Sequence, residues 1–158
     1  NTSMRESIHD AIEAGLSTYT ECGGLMYLSA SIHWNNQSAD MVGIIPADAC
    51  MNGKPQGRGY VKLHETKHMP WQKLPNNEVS HSNTIKAHEF HYSSLVKLST
   101  KGRFAFKVKR GVGITGEYDG WVYKNLLASY THMRHTGQFP WAQRFVAFIR
   151  SQQRTSFL

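Results

Sequence analysis

Apolar residues along the chain alternate between two spacings. Met4, Ile8, Ala11 and Ile12 recur at helical spacing, and Ser3 with Glu6 three residues later has the form of a capping box. Gly15 stands where a helix C-cap would place it, so the first element reads as a helix. A short strand is expected over Leu16–Thr20, then a turn at Glu21–Gly24, then a second helix through Leu25, Met26 and Leu28. That helix–strand–turn–helix run belongs to α/β folds. Met41–Ile45 reads as a buried strand ended by Pro46, and Gly57–His64 as an alternating one. Lys67–Asn83 is polar, carries Pro70 and Pro75, and reads as loop. Thr84–Ser93, Phe104–Lys109, Trp121–Tyr123 and Leu126–Tyr130 are further strands. Trp141, Phe145, Phe148 and Ile149 share one face of a closing helix, and the tail beyond it reads as frayed. There is no internal repeat.

The chain has 158 residues, one domain's worth, and is 40% hydrophobic. It has no run of about 18 apolar residues, so no membrane span is expected. Its start lacks the charged-then-apolar form of a secretory leader. Two cysteines, Cys22 and Cys50, make no disulfide framework and suit a reducing, cytoplasmic setting. The net charge of +7 favours acidic partners: nucleic acid, phosphates or polycarboxylates. The densest basic cluster, Lys101–Arg110, alternates so that Phe104 and Phe106 face one way and Ala105, Lys107 and Lys109 the other. That is a half-solvated strand more than a nucleic-acid stripe, and no nucleic-acid partner is expected.

Chemistry concentrates in a few places. Cys22 stands where a strand turns into a helix, followed by Gly23 and Gly24, which leave room for a bend. A thiol at a helix N-terminus is activated by the free N–H groups, and the N–H of Gly23 could supply half of an oxyanion hole. A small buried cysteine beside a tight turn is the alternative. A thiolate wants a histidine base, and His132 lies just past the apolar strand Leu126–Tyr130, where sheet enzymes place site residues. A lone histidine there is more often structural. The cluster His88, Glu89, Phe90, His91, Tyr92 invites a metal, but on a strand His88 and His91 point to opposite faces, and zinc needs three or four convergent ligands. No metal is expected. Burial of Phe90 and Tyr92 with exposed polar neighbours is one reading. An acceptor-site or domain-contact role for His88, Glu89, His91 and Tyr92 is the other. The glycine-rich stretch Arg110–Gly120 lacks a P-loop ending and reads as a hairpin.

Six segments then occur in one order: ECGGLMYL (Glu21–Leu28), MVGIIP followed by ADA, RGY (Arg58–Tyr60), HEFHYS (His88–Ser93), GITGEYDG and LLASYTH (Leu126–His132). Together they resemble the C-terminal glutaminase domain of the cobyrinic acid a,c-diamide synthase family. The resemblance runs from about Ser3 to the final helix. ECGGLMYL and HEFHYS favour this branch over the related cobyric acid synthases. It implies an α/β, flavodoxin-like class I glutamine amidotransferase domain with a mixed sheet. Cys22 would attack the glutamine side-chain amide, His132 would act as base, and Gly23 would bind the oxyanion. Ammonia would pass to a separate N-terminal synthetase domain that uses ATP and Mg2+ to activate carboxylates of a corrin-type tetrapyrrole. No cofactor is expected on this chain itself.

The sequence departs from that family at several points. Arg134 stands where a Glu or a second His is usual, with His135 one step on, so no third member of a triad is visible. Thr20 replaces a usual Ala, and Cys50 a usual Arg. By the resemblance, residues 1–158 are a partial domain. The ATP-binding domain, the first strands and the glycine loop with the second oxyanion donor would lie before Asn1. Loss of such a donor costs about 3–4 kcal/mol of transition-state stabilisation. Exposed sheet edges would then favour self-association. Amidation of another tetrapyrrole, such as siroheme or a nickel sirohydrochlorin, and a non-catalytic binding module of the same fold are the alternative functions.

Overall fold

The structure, a computed structural model, describes residues 1–74, 84–98 and 102–155. Within them the order is α1 Thr2–Glu13, β1 Thr18–Glu21, α2 Gly23–Leu28, β2 Ser29–Trp34, β3 Gln37–Asp40, β4 Ile45–Met51 and β5 Gly57–Glu65. There follow β6 Thr84–His91, β7 Ser93–Val96, β8 Arg103–Arg110, β9 Tyr118–Tyr123, β10 Leu126–Ser129, β11 His132–Met133 and α3 Trp141–Thr155.

Two sheets carry the fold. The larger runs β1-β10-β9-β8-β5-β6-β11 and the smaller β3-β2-β4-β7. β1 is parallel to β10, with Thr18 opposite Leu126 and Glu21 opposite Ser129, and every other pairing in the larger sheet is antiparallel. β2 and β4 are parallel in the smaller sheet. The α/β class with a mixed sheet is therefore found. Antiparallel pairing nonetheless dominates, because most connections after β4 are too short for a parallel crossover.

The larger sheet is buried on both faces around β9 and β10, while β5 and β6 keep one face exposed. Along β10, Leu126 and Ala128 enter one core with Ile12, Leu25, Leu28, Ile45 and Trp121, while Leu127 enters the other with Val61, Leu63, Trp71, Phe106 and Val122. Trp141, Phe145 and Phe148 of α3 close the second core, the face expected of the terminal helix. Arg144 on that helix is 3% exposed; its Nε donates to Gln72 O at 3.0 Å, and its guanidinium grips the Glu65 carboxylate. Only this burial shows that an arginine belongs to the packed side of α3.

Local expectations hold in part. Gly15, at φ 92°, follows the C-cap residue Ala14; its N–H donates to Ile12 O and that of Leu16 to Ala11 O, a Schellman end. The N-cap is Asn1, not Ser3: Asn1 Oδ1 accepts from Met4 N at 3.1 Å and from Ser3 Oγ at 3.0 Å. Pro46 does not end a strand. It lies inside β4, at the register shift against β2 between Ser29 and Ser31, where a missing N–H breaks no ladder bond. The strand expected over 84–93 breaks at Tyr92 into β6 and β7 of different sheets. Ala105 is fully buried rather than facing out with Lys107 and Lys109, because β8 lies inside a sheet with a core on each side. The glycine-rich stretch is the β8–β9 hairpin. The expected loop 67–83 has no helix or strand through residue 74, and 75–83 lie outside the described residues, as does Lys101. α3 continues through Thr155 of the tail expected to fray, and 156–158 also lie outside.

Candidate active site

The parallel pair β1–β10 builds the site. β1 ends at Glu21, and Cys22 follows with φ 47° and ψ −101°, a conformation that costs a non-glycine residue about 1–3 kcal/mol. Ser129 O accepts from Cys22 N at 2.8 Å and Cys22 O accepts from Met26 N at 3.1 Å, so both neighbouring elements hold the bend. Gly24 has to be glycine: a Cβ there would lie 1.6 Å from Thr20 Oγ1. A Cβ on Gly23 would meet nothing within 4 Å, which leaves its face of the turn open to an incoming group.

The Cys22 thiol points towards Phe90 O at 3.9 Å. Burial pushes its pKa up, and the negative charge of Glu21 adds to this, while the Gly23 N–H pulls the other way. A thiol activated by its helix end was expected. The helix Gly23–Leu28 is too short and the site too enclosed for that effect to win. The resting group is a thiol, so attack requires a base.

His132 is the nearest histidine in chain order after β10, and β11 carries it back across the sheet. β1 and β11 are opposite edges in the strand order, yet they meet through Glu21. Glu21 Oε2 faces His132 Nδ1 at 3.1 Å, and Oε1 accepts from Met133 N at 2.8 Å and from the Tyr19 hydroxyl. The carboxylate can only accept, so Nδ1 carries the proton and Nε2 is left with its lone pair. Burial, reinforced by Glu21, pushes the Tyr19 phenol up, so it stays a donor. The His132 ring stacks on His88 of β6 at 4.9 Å between centroids, in the register that pairs those two residues.

The chain between β10 and His132 is fixed from below. Asp119, fully buried, accepts from Tyr130 N and Thr131 N at 3.0 Å each and from Thr131 Oγ1 at 2.7 Å. Burial pushes the Asp119 carboxyl up against the pull of these donors.

The four candidate residues of the His88–Tyr92 cluster divide. His88 is exposed beside His132, and Tyr92 is 39% exposed. Glu89 and His91 are 2% and 4% exposed, which removes them from any acceptor or domain contact. Phe90 and Tyr92 are the exposed residues and the polar pair is inside, the reverse of the burial pattern read from the sequence. The reason is the hairpin. Val112 N and Gly113 N donate to Glu89 at 2.8 and 2.9 Å, and His91 Nε2 lies 3.6 Å from it. The glycine-rich stretch does cradle an anion, and that anion is the protein's own carboxylate. Burial alone would raise Glu89, but His91 and the two amides hold its carboxyl below the usual range.

Glu21, directly before Cys22 and Gly23, is thus the residue that ties this elbow to His132, with Cys50 away in β4 and Arg134 exposed without a hydrogen bond among the described residues. Glu21 is the residue that sequence reasoning missed. Its signal was its place beside Cys22, but side chains of adjacent residues in a strand point apart, and only the turn shows where this one goes. Among the described residues no three His, Cys, Asp or Glu side chains gather to hold a metal ion, and no helix is long and apolar enough to cross a membrane.

The chain is 40% identical over 157 residues to a cobyrinate a,c-diamide synthase of Magnetococcus marinus, covering 99% of this chain and 32% of that protein. It is 40% identical over 141 residues to the Methanosphaera stadtmanae protein of the same name, covering 89% and 28%. The chain thus spans about a third of the length of the curated relatives it matches. A solved glutamine amidotransferase superposes with TM-score 0.62 at 13% identity, over 94% of this chain and 69% of its own. A chain of the Thermotoga maritima PurLQS structure gives 0.61 at 13%, over 95% and 68%. These two show the fold alone. The family model of the CobB/CobQ-like glutamine amidotransferase domain matches residues 1–138, and the chain belongs to that family.

Proposed function

We propose that this chain hydrolyses glutamine and supplies the ammonia to a synthetase domain that amidates the a and c carboxylates of a corrin-type tetrapyrrole. The observation that carries the reading is the strained elbow at Cys22, whose preceding residue Glu21 holds Nδ1 of His132 and so leaves Nε2 as the basic nitrogen. The Cys22 sulfur attacks the side-chain carbonyl carbon of glutamine while His132 Nε2 takes the thiol proton. The Gly23 N–H receives the developing oxyanion. His132 returns the proton to the leaving nitrogen, ammonia departs, and a γ-glutamyl thioester remains on Cys22. Water, deprotonated by the same nitrogen, releases glutamate and restores the thiol.

In this reading the amidation itself falls to an N-terminal domain using ATP and Mg2+; the relatives' name gives the a,c-diamide and their greater length leaves room for a further domain. The net charge of +7 suits a polycarboxylate acceptor. A thiol nucleophile needs a reducing compartment such as the cytoplasm.

The test is glutamate release from glutamine, with covalent labelling by the glutamine analogue 6-diazo-5-oxo-norleucine. It is run on the chain alone and on the chain fused behind the preceding two thirds of the Magnetococcus marinus relative. Cys22→Ala should abolish both signals, with loss of rate on the order of 10^4-fold or more. A fusion that neither labels nor releases glutamate, or a label on Cys50 in place of Cys22, overturns the reading.

A further inference from the structure

Family likeness led to a missing third member at Arg134, yet the site already contains a carboxylate on the base. Its source is unusual in position: the residue immediately before the nucleophile. Glu21 Oε2 lies 3.1 Å from His132 Nδ1, and the two residues are 111 positions apart in the chain. Both side chains are largely shielded, with 24% of Glu21 and 31% of His132 exposed.

The other carboxylate oxygen decides the matter. Oε1 receives two donors, the Met133 N–H at 2.8 Å and the Tyr19 hydroxyl. Those bonds fix the plane of the group, so that Oε2 can only face the imidazole. The same Met133 N–H belongs to the residue after His132, so one carboxylate holds both the ring and the backbone that carries it.

We propose that Glu21 is the positioning residue of this site: it accepts the Nδ1 proton of His132 and thereby presents Nε2, unprotonated, to Cys22. This rests on the reading of Cys22 as nucleophile and His132 as base. Strain at Cys22 has a place in it. With φ 47° and ψ −101°, the bend turns Cys22 out of the line of the strand, so that its thiol faces Phe90 O while Glu21 faces His132. Glu21 touches no substrate and acts through His132 alone.

Glu21→Gln makes the claim sharp. The amide oxygen of the new side chain must take the Oε1 place, because two donors converge there. Its NH2 then faces Nδ1 and can only donate, which forces the proton of His132 onto Nε2. The ring keeps its position but loses its basic nitrogen on the thiol side. A serine-protease triad altered in the equivalent way loses on the order of 10^4 in kcat, and a similar loss of glutamate release is expected here.

The experiment reads the tautomer directly, by long-range 1H–15N correlation spectra of 15N-histidine-labelled chain at a pH where His132 is neutral. Wild type should show His132 protonated at Nδ1, and Glu21→Gln at Nε2, with the thermal midpoint little changed. Glu21→Asp, which keeps a carboxylate, should restore the Nδ1–H form in part. An Nε2–H wild-type ring overturns the proposal, as does a Glu21→Gln ring that stays Nδ1–H. Should the Gln variant fail to fold, the wild-type spectrum decides by itself. These spectra need no turnover, so a fusion that neither labels nor releases glutamate would overturn the proposed function and leave the Nδ1–Glu21 assignment to stand or fall separately.

Discussion

Glu21 and His132 join the two opposite edges of a seven-stranded sheet, with Glu21 Oε2 3.1 Å from His132 Nδ1. The strand order alone would keep β1 and β11 apart. They meet because β10, which pairs Ser129 with Glu21, runs on into β11 at His132, while the Cys22 thiol faces Phe90 O of β6. Cys22 and His132 therefore sit on elements whose placement depends on a few polar contacts.

The Cys22 thiol should hold its proton above the usual thiol range. Burial, the larger cause, and Glu21 both penalise the thiolate. The iodoacetamide rate at Cys22 should therefore rise at higher pH than that of free cysteine, as followed by peptide mass spectrometry. The linkage has a definite sign. A raised folded-state pKa gives stability that is complete below the unfolded thiol's pKa and lost as pH rises through the folded one. An alkylation profile at or below that of free cysteine would refute this.

Gly24→Ala should destabilise the chain although alanine favours a helix by about 1 kcal/mol over glycine. The added Cβ would lie 1.6 Å from Thr20 Oγ1. A net loss of about 2 kcal/mol or more is expected in a urea melt. Thr20→Ala removes that oxygen, so the double variant should recover most of the loss. Additive effects of the two changes would show that the clash is not the cause.

Asp119→Ala should cost about 3 kcal/mol or more, because it leaves three buried donors, Tyr130 N, Thr131 N and Thr131 Oγ1, without an acceptor. The segment they hold runs directly into His132. Glutaminase activity should therefore fall below what the melt explains at temperatures where the variant is fully folded. Unchanged activity in the folded variant would separate the clamp from the site.

Glu89→Gln should loosen the β8–β9 hairpin. The carboxylate takes the N–H groups of Val112 and Gly113 and lies beside His91. Hydrogen exchange at those two amides should accelerate by tenfold or more, about 1.4 kcal/mol of lost protection. Its folded pKa is depressed, so its stabilisation is present above the unfolded carboxyl's pKa and is lost as pH falls through the folded one. In wild type the same two amides should lose protection in that acid window, and in the variant they should not respond to it.

Much of this protein is readable without coordinates. Gly15, Cys22–Gly23–Gly24 and the apolar run at 126–129 carry their own local physics: a left-handed C-cap, a bend with room for the backbone, and a strand buried on both faces. Such features depend on neighbours within a few residues, so the chain itself specifies them. The order of motifs also gave the family.

Burial and long-range pairing were decided elsewhere. Phe90 and Tyr92 face out and Glu89 and His91 face in, because a distant hairpin offers two amides that only the inner side of β6 can reach. Period-two alternation says that two sets of side chains part, and does not say which set meets the core. For the same reason Glu21 was legible as a turn residue and not as a partner of His132. Its contact crosses 111 positions, and it exists only because β1 pairs with β10, whose chain reaches His132 three residues after Ser129, the partner of Glu21.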